Sequence, residues 1–131
     1  MESMFEKTPS FDVDLSNWDV SSVETMNAMF QESSFSGSGL EYWNVTSLKD
    51  MDWIFGFANN LNANISGWNV SNVESAYRSF VYAQAFDQDL CAWGNLLSPN
   101  VTLCFQSTNC PRESCSATTR NPPGPFCHSC S

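Results

Sequence analysis

The chain contains a single histidine, His128, and that limits what catalysis it could perform. A Ser-His-Asp or Cys-His site needs an imidazole as its base, so it would have to be built on that residue. There is no Gly-rich phosphate loop and no His-Glu-x-x-His zinc helix, and no acid–base pair is marked out by spacing. The residues assign no catalytic group and no cofactor, and the expectation is a protein that is not an enzyme. The cysteines offer a different chemistry. Cys91, Cys104, Cys110, Cys115, Cys127 and Cys130 are an even set confined to the last third of the chain. That pattern reads as a disulfide framework from an oxidising compartment, with the pairing left open. Cys127-His128-Ser-Cys130, with Cys110 and Cys115, could also be read as zinc ligands, but disulfides account for the same residues more simply.

Carboxylates could hold Ca²⁺ through their oxygens, with Asp12, Asp14 and Asp19 in one stretch and Asp87 and Asp89 in another. Between them, Gly39, Asn64 and Asn69 interrupt the pattern, which favours solvated turns, and no metal is expected. Four sequons, Asn44-Val-Thr46, Asn64-Ile-Ser66, Asn69-Val-Ser71 and Asn100-Val-Thr102, fit a secreted chain. Asn followed by Ser or Thr also recurs for turn reasons.

With 14 acidic and 5 basic residues the net charge is −9. This argues against nucleic acid and against an anionic membrane surface, both of which require clustered Lys and Arg. At 42% hydrophobic residues in a chain of 131, one packed domain is expected. No apolar run reaches the roughly 20 residues of a membrane-spanning helix.

These residues are set out on a repeat. Trp18, Trp43, Trp68 and Trp93 are 25 apart, and Phe5, Phe30, Phe55, Phe80 and Phe105 keep the same step. So do Leu15, Leu40, Ile65 and Leu90, three before each Trp. Phe35 breaks register by one residue against Phe11, Leu61 and Phe86, and Ser36-Gly-Ser-Gly39 is placed to absorb the offset as a bulge or wider turn. Within a unit, Trp18 and Val20 suit one side of a short extended segment. Val23, Met26, Met29 and Phe30 then follow the stripe of a helix face. Ser21-Ser-Val-Glu24 and Ser71-Asn-Val-Glu74 match capping boxes.

A unit of 25 residues cannot bury its own apolar stripe, and stacking copies solves that. The expected fold class is therefore an α/β repeat solenoid of about four coils, each a short parallel strand plus a helix. The expected division is residues 1–109 as solenoid and 110–131 as a Cys/Pro-rich C-terminal cap. Trp18, Trp43, Trp68, Trp93, Phe30, Phe55, Phe80 and Phe105 form the expected core. Met1-Glu-Ser-Met4-Phe5 matches Met26-Asn-Ala-Met29-Phe30, so the chain opens in mid-repeat without a signal peptide. It reads as a fragment, a processed form or a truncated gene model.

Phe86-Asp-Gln-Asp89-Leu-Cys-Ala-Trp93, Trp18-Asp-Val-Ser-Ser-Val23 and Met26-x-x-Met29-Phe30 resemble the BspA-like repeat, a divergent relative of leucine-rich repeats found in bacterial and protist surface proteins. The resemblance covers residues 1 to about 109, and the tail with Gly124-Pro-Phe-Cys127 and Cys130 is similar to the C-terminal cap of algal versions. It implies a secreted or surface-bound protein, with adhesion or protein recognition as its role and no catalytic residues.

Two faces are candidates for binding. The strand face presents Asn17, Asp19, Tyr42, Asn44 and Asn69, which could instead form a solvated ladder between coils. The helix face presents Trp53, Phe57, Tyr77 and Tyr82, which could instead pack on neighbouring helices. The leading expectation is a non-catalytic interaction module with a protein partner. A structural subunit of a larger assembly and a carbohydrate-binding module are the alternatives. No nucleic acid and no membrane insertion by this segment are expected.

Overall fold

In the computed structural model, residues 1–111, 126–128 and 130 are described. The α/β solenoid of strands and helices is not what this chain forms. Among the described residues there is neither an α-helix nor a β-strand. Regular structure is limited to two 3₁₀ helices, η1 (Leu40–Tyr42) and η2 (Cys91–Asn95). Three isolated bridges accompany them: Thr25 with Asp50 and Asp50 with Ser75, both parallel, and Phe126 with His128, antiparallel. What were expected to be strand and helix faces are faces of turns.

The segment read as a helix shows why. From Met26 to Ser33 the amides alternate between two kinds of partner. Met26, Ala28, Phe30 and Glu32 donate to the carbonyls of Asp50, Asp52, Ile54 and Gly56 in the next repeat, at 2.8–2.9 Å. Met29, Gln31 and Ser33 donate three residues back, each closing a β-turn, at 3.1 Å. The same alternation recurs one repeat on, where Met51, Trp53, Phe55 and Phe57 donate to Ser75, Tyr77, Ser79 and Val81. An α-helix would use every one of these amides internally, four residues back.

The backbone enforces the choice. Ser3, Ala28, Trp53 and Arg78 share one repeat position, Lys7, Glu32, Phe57, Tyr82 and Ser107 share another, and all nine have φ between 50 and 59°. A left-handed residue every few positions cannot sit in a right-handed helix, but it is what the third residue of a type II turn requires. The expected capping boxes fail with the helix. The Ser21 hydroxyl and amide both donate to Asp19 Oδ1, at 2.6 and 3.0 Å, and Glu24 pairs with Lys49 at 3.1 Å.

The repeat columns still meet. Phe5, Phe30, Phe55, Phe80 and Phe105 form a line of rings with successive centroids 5.1–5.8 Å apart. Trp43, Trp68 and Trp93 stack nearly parallel at 6.3 and 6.5 Å. Each of their indole N–H groups donates to a carbonyl 28 residues earlier: Trp43 to Leu15, Trp68 to Leu40 and Trp93 to Ile65, at 2.8–3.2 Å. A buried indole needs such an acceptor, and the fixed offset pins one repeat to the next.

Trp18 departs from the expected core, being 37% exposed. Its ring meets Phe5 at a tilt, with centroids 5.5 Å apart. The register slip is taken up as the glycines suggested. Gly37 and Gly39 have φ of 101 and 93°, and a Cβ on Gly39 would overlap the backbone nitrogen of Ser16.

At the other end, Phe126 and Cys127 are buried. Phe126 accepts the Leu90 amide at 3.1 Å. Disulfides join Cys91 to Cys130 and Cys110 to Cys127, and Cys104 is also disulfide-bonded. Cys115 lies outside the described residues.

Candidate functional site

The Asx turns come first, because they build the face that the sequence assigned to strands. Asp14, Asn64 and Asp89 share a column, as do Asp19, Asn44 and Asn69, and in all six the side-chain oxygen accepts the amide two residues on, at 2.8–3.2 Å. These short polar side chains hydrogen-bond their own backbone and so start turns. Asn17, Asp19, Tyr42, Asn44 and Asn69 are all exposed as expected, with Tyr42 at 73%. They form a polar row with one protruding ring rather than a pocket. Ser36 and Ser21 donate from both hydroxyl and amide to Asp12 and Asp19, first by the hydroxyl, and so hold those carboxyls below the usual carboxylate range. The carboxylates of Asp14, Asp19 and Asp89 thus serve turns, while Asp12 joins one repeat to the next through Ser36.

The zinc reading is overturned by covalent chemistry. Asp87, Cys127 and His128 do lie close together, but the Cys127 sulfur is bonded to Cys110 and the Cys130 sulfur to Cys91. A disulfide sulfur is not the thiolate that zinc binds. His128 Nε2 instead lies 2.7 Å from Asp87 Oδ1, which ties the C-terminal segment to the last repeat.

The second face is better formed. Trp53, Phe57, Tyr77 and Tyr82 come together as a connected cluster. Phe57 stacks on Tyr82 at 4.9 Å and lies parallel to Trp53 at 6.3 Å, and Tyr77 meets Trp53 edge-on at 6.1 Å. The cluster faces outward, with Tyr77 56% and Phe57 38% exposed and the rings of Trp53 and Tyr82 half-buried. Arg78 is the residue that sequence reasoning missed. Its guanidinium lies 5.4 Å from the Trp53 ring and 5.2 Å from the Tyr77 ring, a cation–π arrangement with both. The signal was available, since Arg78 falls one repeat after Trp53 and next to Tyr77.

Local structure builds this cluster deliberately. Trp53, Phe57, Arg78 and Tyr82 all occupy the left-handed turn positions, where a Cβ is costly and the turn itself calls for no aromatic. Other units place Ser3, Ala28, Lys7, Glu32 and Ser107 there. Gly56 makes room for the indole, since a Cβ on it would lie 2.8 Å from Trp53 Cε3. Beneath, Asp52 Oδ1 accepts the Tyr77 amide at 2.6 Å and the Ser75 hydroxyl at 2.5 Å, which fixes the loop that carries Tyr77.

A family model described as "Mycoplasma protein of unknown function, DUF285" matches residues 1–117 of this sequence. The chain belongs to the DUF285 family. No curated protein and no solved structure matches it. The DUF285 match spans every Trp and Phe column and both candidate faces. The disulfides Cys91–Cys130 and Cys110–Cys127 of this DUF285 chain are compatible with an oxidising, extracellular setting. Among the described residues no helix is long and apolar enough to cross a membrane.

Proposed function

We propose that this chain is a non-catalytic protein-interaction module of a secreted or cell-surface protein, of the BspA-like type with which the DUF285 family is associated. One observation carries the reading. Three aromatic rings and an arginine stand at left-handed positions that other repeats fill with Ser, Ala, Lys or Glu, and Tyr77 joins them at the surface. Connected aromatics with Arg at their edge are the usual content of a binding hot spot. The stacked repeats supply a rigid base, so little ordering entropy is lost on binding. The net charge of −9 favours a partner whose surface is neutral or basic.

The test is capture of an extracellular partner by immobilised full chain, compared with Trp53→Ala and Tyr77→Ala. Both variants are expected to unfold at an unchanged midpoint and to lose the partner. Equal capture by wild type and both variants removes this face from the proposal. Carbohydrate binding is a second reading, supported by the exposure of Trp18 and Tyr77, and retention on a polysaccharide matrix would separate it.

A further inference from the structure

The four sequons are not equivalent in the fold, and we infer that Asn44 is an acceptor for an N-linked oligosaccharide. All four asparagines are exposed, so exposure alone does not choose. Geometry does. Asn44 Oδ1 accepts both the Thr46 hydroxyl at 2.6 Å and the Thr46 amide at 3.1 Å, and Thr46 is itself exposed. Two hydrogen bonds to the carbonyl oxygen draw electron density toward it and make the Nδ2 protons more acidic, on a residue that is exposed. Asn64 makes the same pair of bonds with Ser66, but Ser66 is half-buried and Asn64 is hemmed by the grooves between Ser36 and Glu41 and between Gln88 and Ala92. Asn69 Oδ1 accepts the Ser71 amide, and at Asn100 the hydrogen bond runs from its backbone N–H to Ser98 Oγ, at 3.4 Å.

The turn by itself does not call for asparagine. Asp19, one repeat earlier, makes the same two bonds to Ser21, at 3.0 and 2.6 Å. Aspartate therefore serves the fold at this column, and the amide nitrogen of Asn44 is free for a second use.

The donor class is an oligosaccharide linked to a lipid pyrophosphate, as found where disulfides form in the eukaryotic secretory pathway. A bond forms from Nδ2 to the anomeric carbon of the sugar. The bond from that carbon to the pyrophosphate oxygen breaks, the lipid pyrophosphate leaves with the electron pair, and one Nδ2 proton passes to a base. Such a glycan would cover the face around Tyr42 and Asn44. Asn69, the next residue of that column, follows Phe57 by twelve positions, about half a repeat. The aromatic face would then be the one left open to protein.

The experiment uses the full chain recovered from a eukaryotic secretory pathway, with N-glycans released by an amidase in heavy-oxygen water and the peptides mapped by mass. The expected result is a heavy-oxygen aspartate at position 44 in wild type and in Thr46→Ser. The glycan is expected to be lost in Asn44→Asp and in Thr46→Ala, with the Asn44→Asp protein still secreted and folded. An unmodified Asn44 in wild type, beside an occupied control sequon from the same cells, overturns the inference. Persistence of label at position 44 in Thr46→Ala also overturns the hydrogen-bond argument behind it.

Discussion

At the scale of single residues, the stacking turns on polar atoms placed in an apolar interior. The indole N–H groups show the favourable case, each with a carbonyl in reach. Ser79 shows the opposite. It is fully buried in the column of Met29 and Ile54, and its hydroxyl has no hydrogen-bond partner. A buried hydroxyl left unpaired costs about 1–3 kcal/mol. Ser79→Ala is therefore expected to raise stability by about 1 kcal/mol, measured by urea unfolding; a loss of stability would show that the hydroxyl has a partner. Two aspartates that accept from serines give a pH signature. Asp12 and Asp19 are held below the ordinary value of 3.8 by their serine donors. A depressed folded-state pKa contributes stability that is fully present above the unfolded value and lost as pH falls through the folded one. The unfolding midpoint is expected to drop below pH 3.8, and to drop less in an Asp12→Asn, Asp19→Asn double variant. Equal drops in the two proteins would remove these groups from the account.

At the scale of elements, the backbone is a run of turns where sequence pattern points to helix and strand. Ala28 distinguishes the two. In a helix interior Ala28→Gly costs about 1 kcal/mol. At its observed φ of 55° the same change relieves the left-handed penalty on Cβ. The expected result is unchanged or slightly higher stability, with Ala28→Val clearly destabilised, both read from urea midpoints. A helix-like loss in Ala28→Gly would contradict the turn architecture. The same position explains what was legible. Met26, Met29, Phe30 and Ser33 are buried while Asn27, Ala28, Gln31 and Glu32 are not. A run of β-turns thus buries residues at the three-and-four spacing of a helix, and hydrophobic pattern alone cannot separate them. Nothing in Ala28, Trp53, Phe57 or Arg78 announces a positive φ, because none is Gly or Asn. The Trp and Phe columns were legible since stacking needs identical side chains at identical steps. So was the offset at Gly37 and Gly39, where the sequence supplies the only residue type free of Cβ strain. Trp18 was misplaced because sharing a column does not fix how deeply each member is covered. The aromatic cluster was legible as four residues, but not as a surface with Arg78 at its edge.

At the scale of the whole molecule, stability rests on repeats gripping one another and on the covalent closure of the last one. The disulfide Cys91–Cys130 spans 39 residues and Cys110–Cys127 spans 17. Loops of this size are worth about 3–4 kcal/mol each in chain-entropy terms. Replacing Cys110 and Cys127 by serine is expected to lower the unfolding free energy by about 3 kcal/mol, and no change would show that this segment does not fasten the last repeat. The central claim is that the indoles of Trp43, Trp68 and Trp93 stand inside a stack, each bonded to a carbonyl 28 residues back. Hydrogen exchange of the indole protons, followed by NMR with each Trp assigned, tests it directly. Those three are expected to exchange far more slowly than Trp18 and Trp53, with Trp68 protected by a repeat on either side. Rapid exchange at all five, or protection of Trp18 equal to that of Trp68, would contradict the stack.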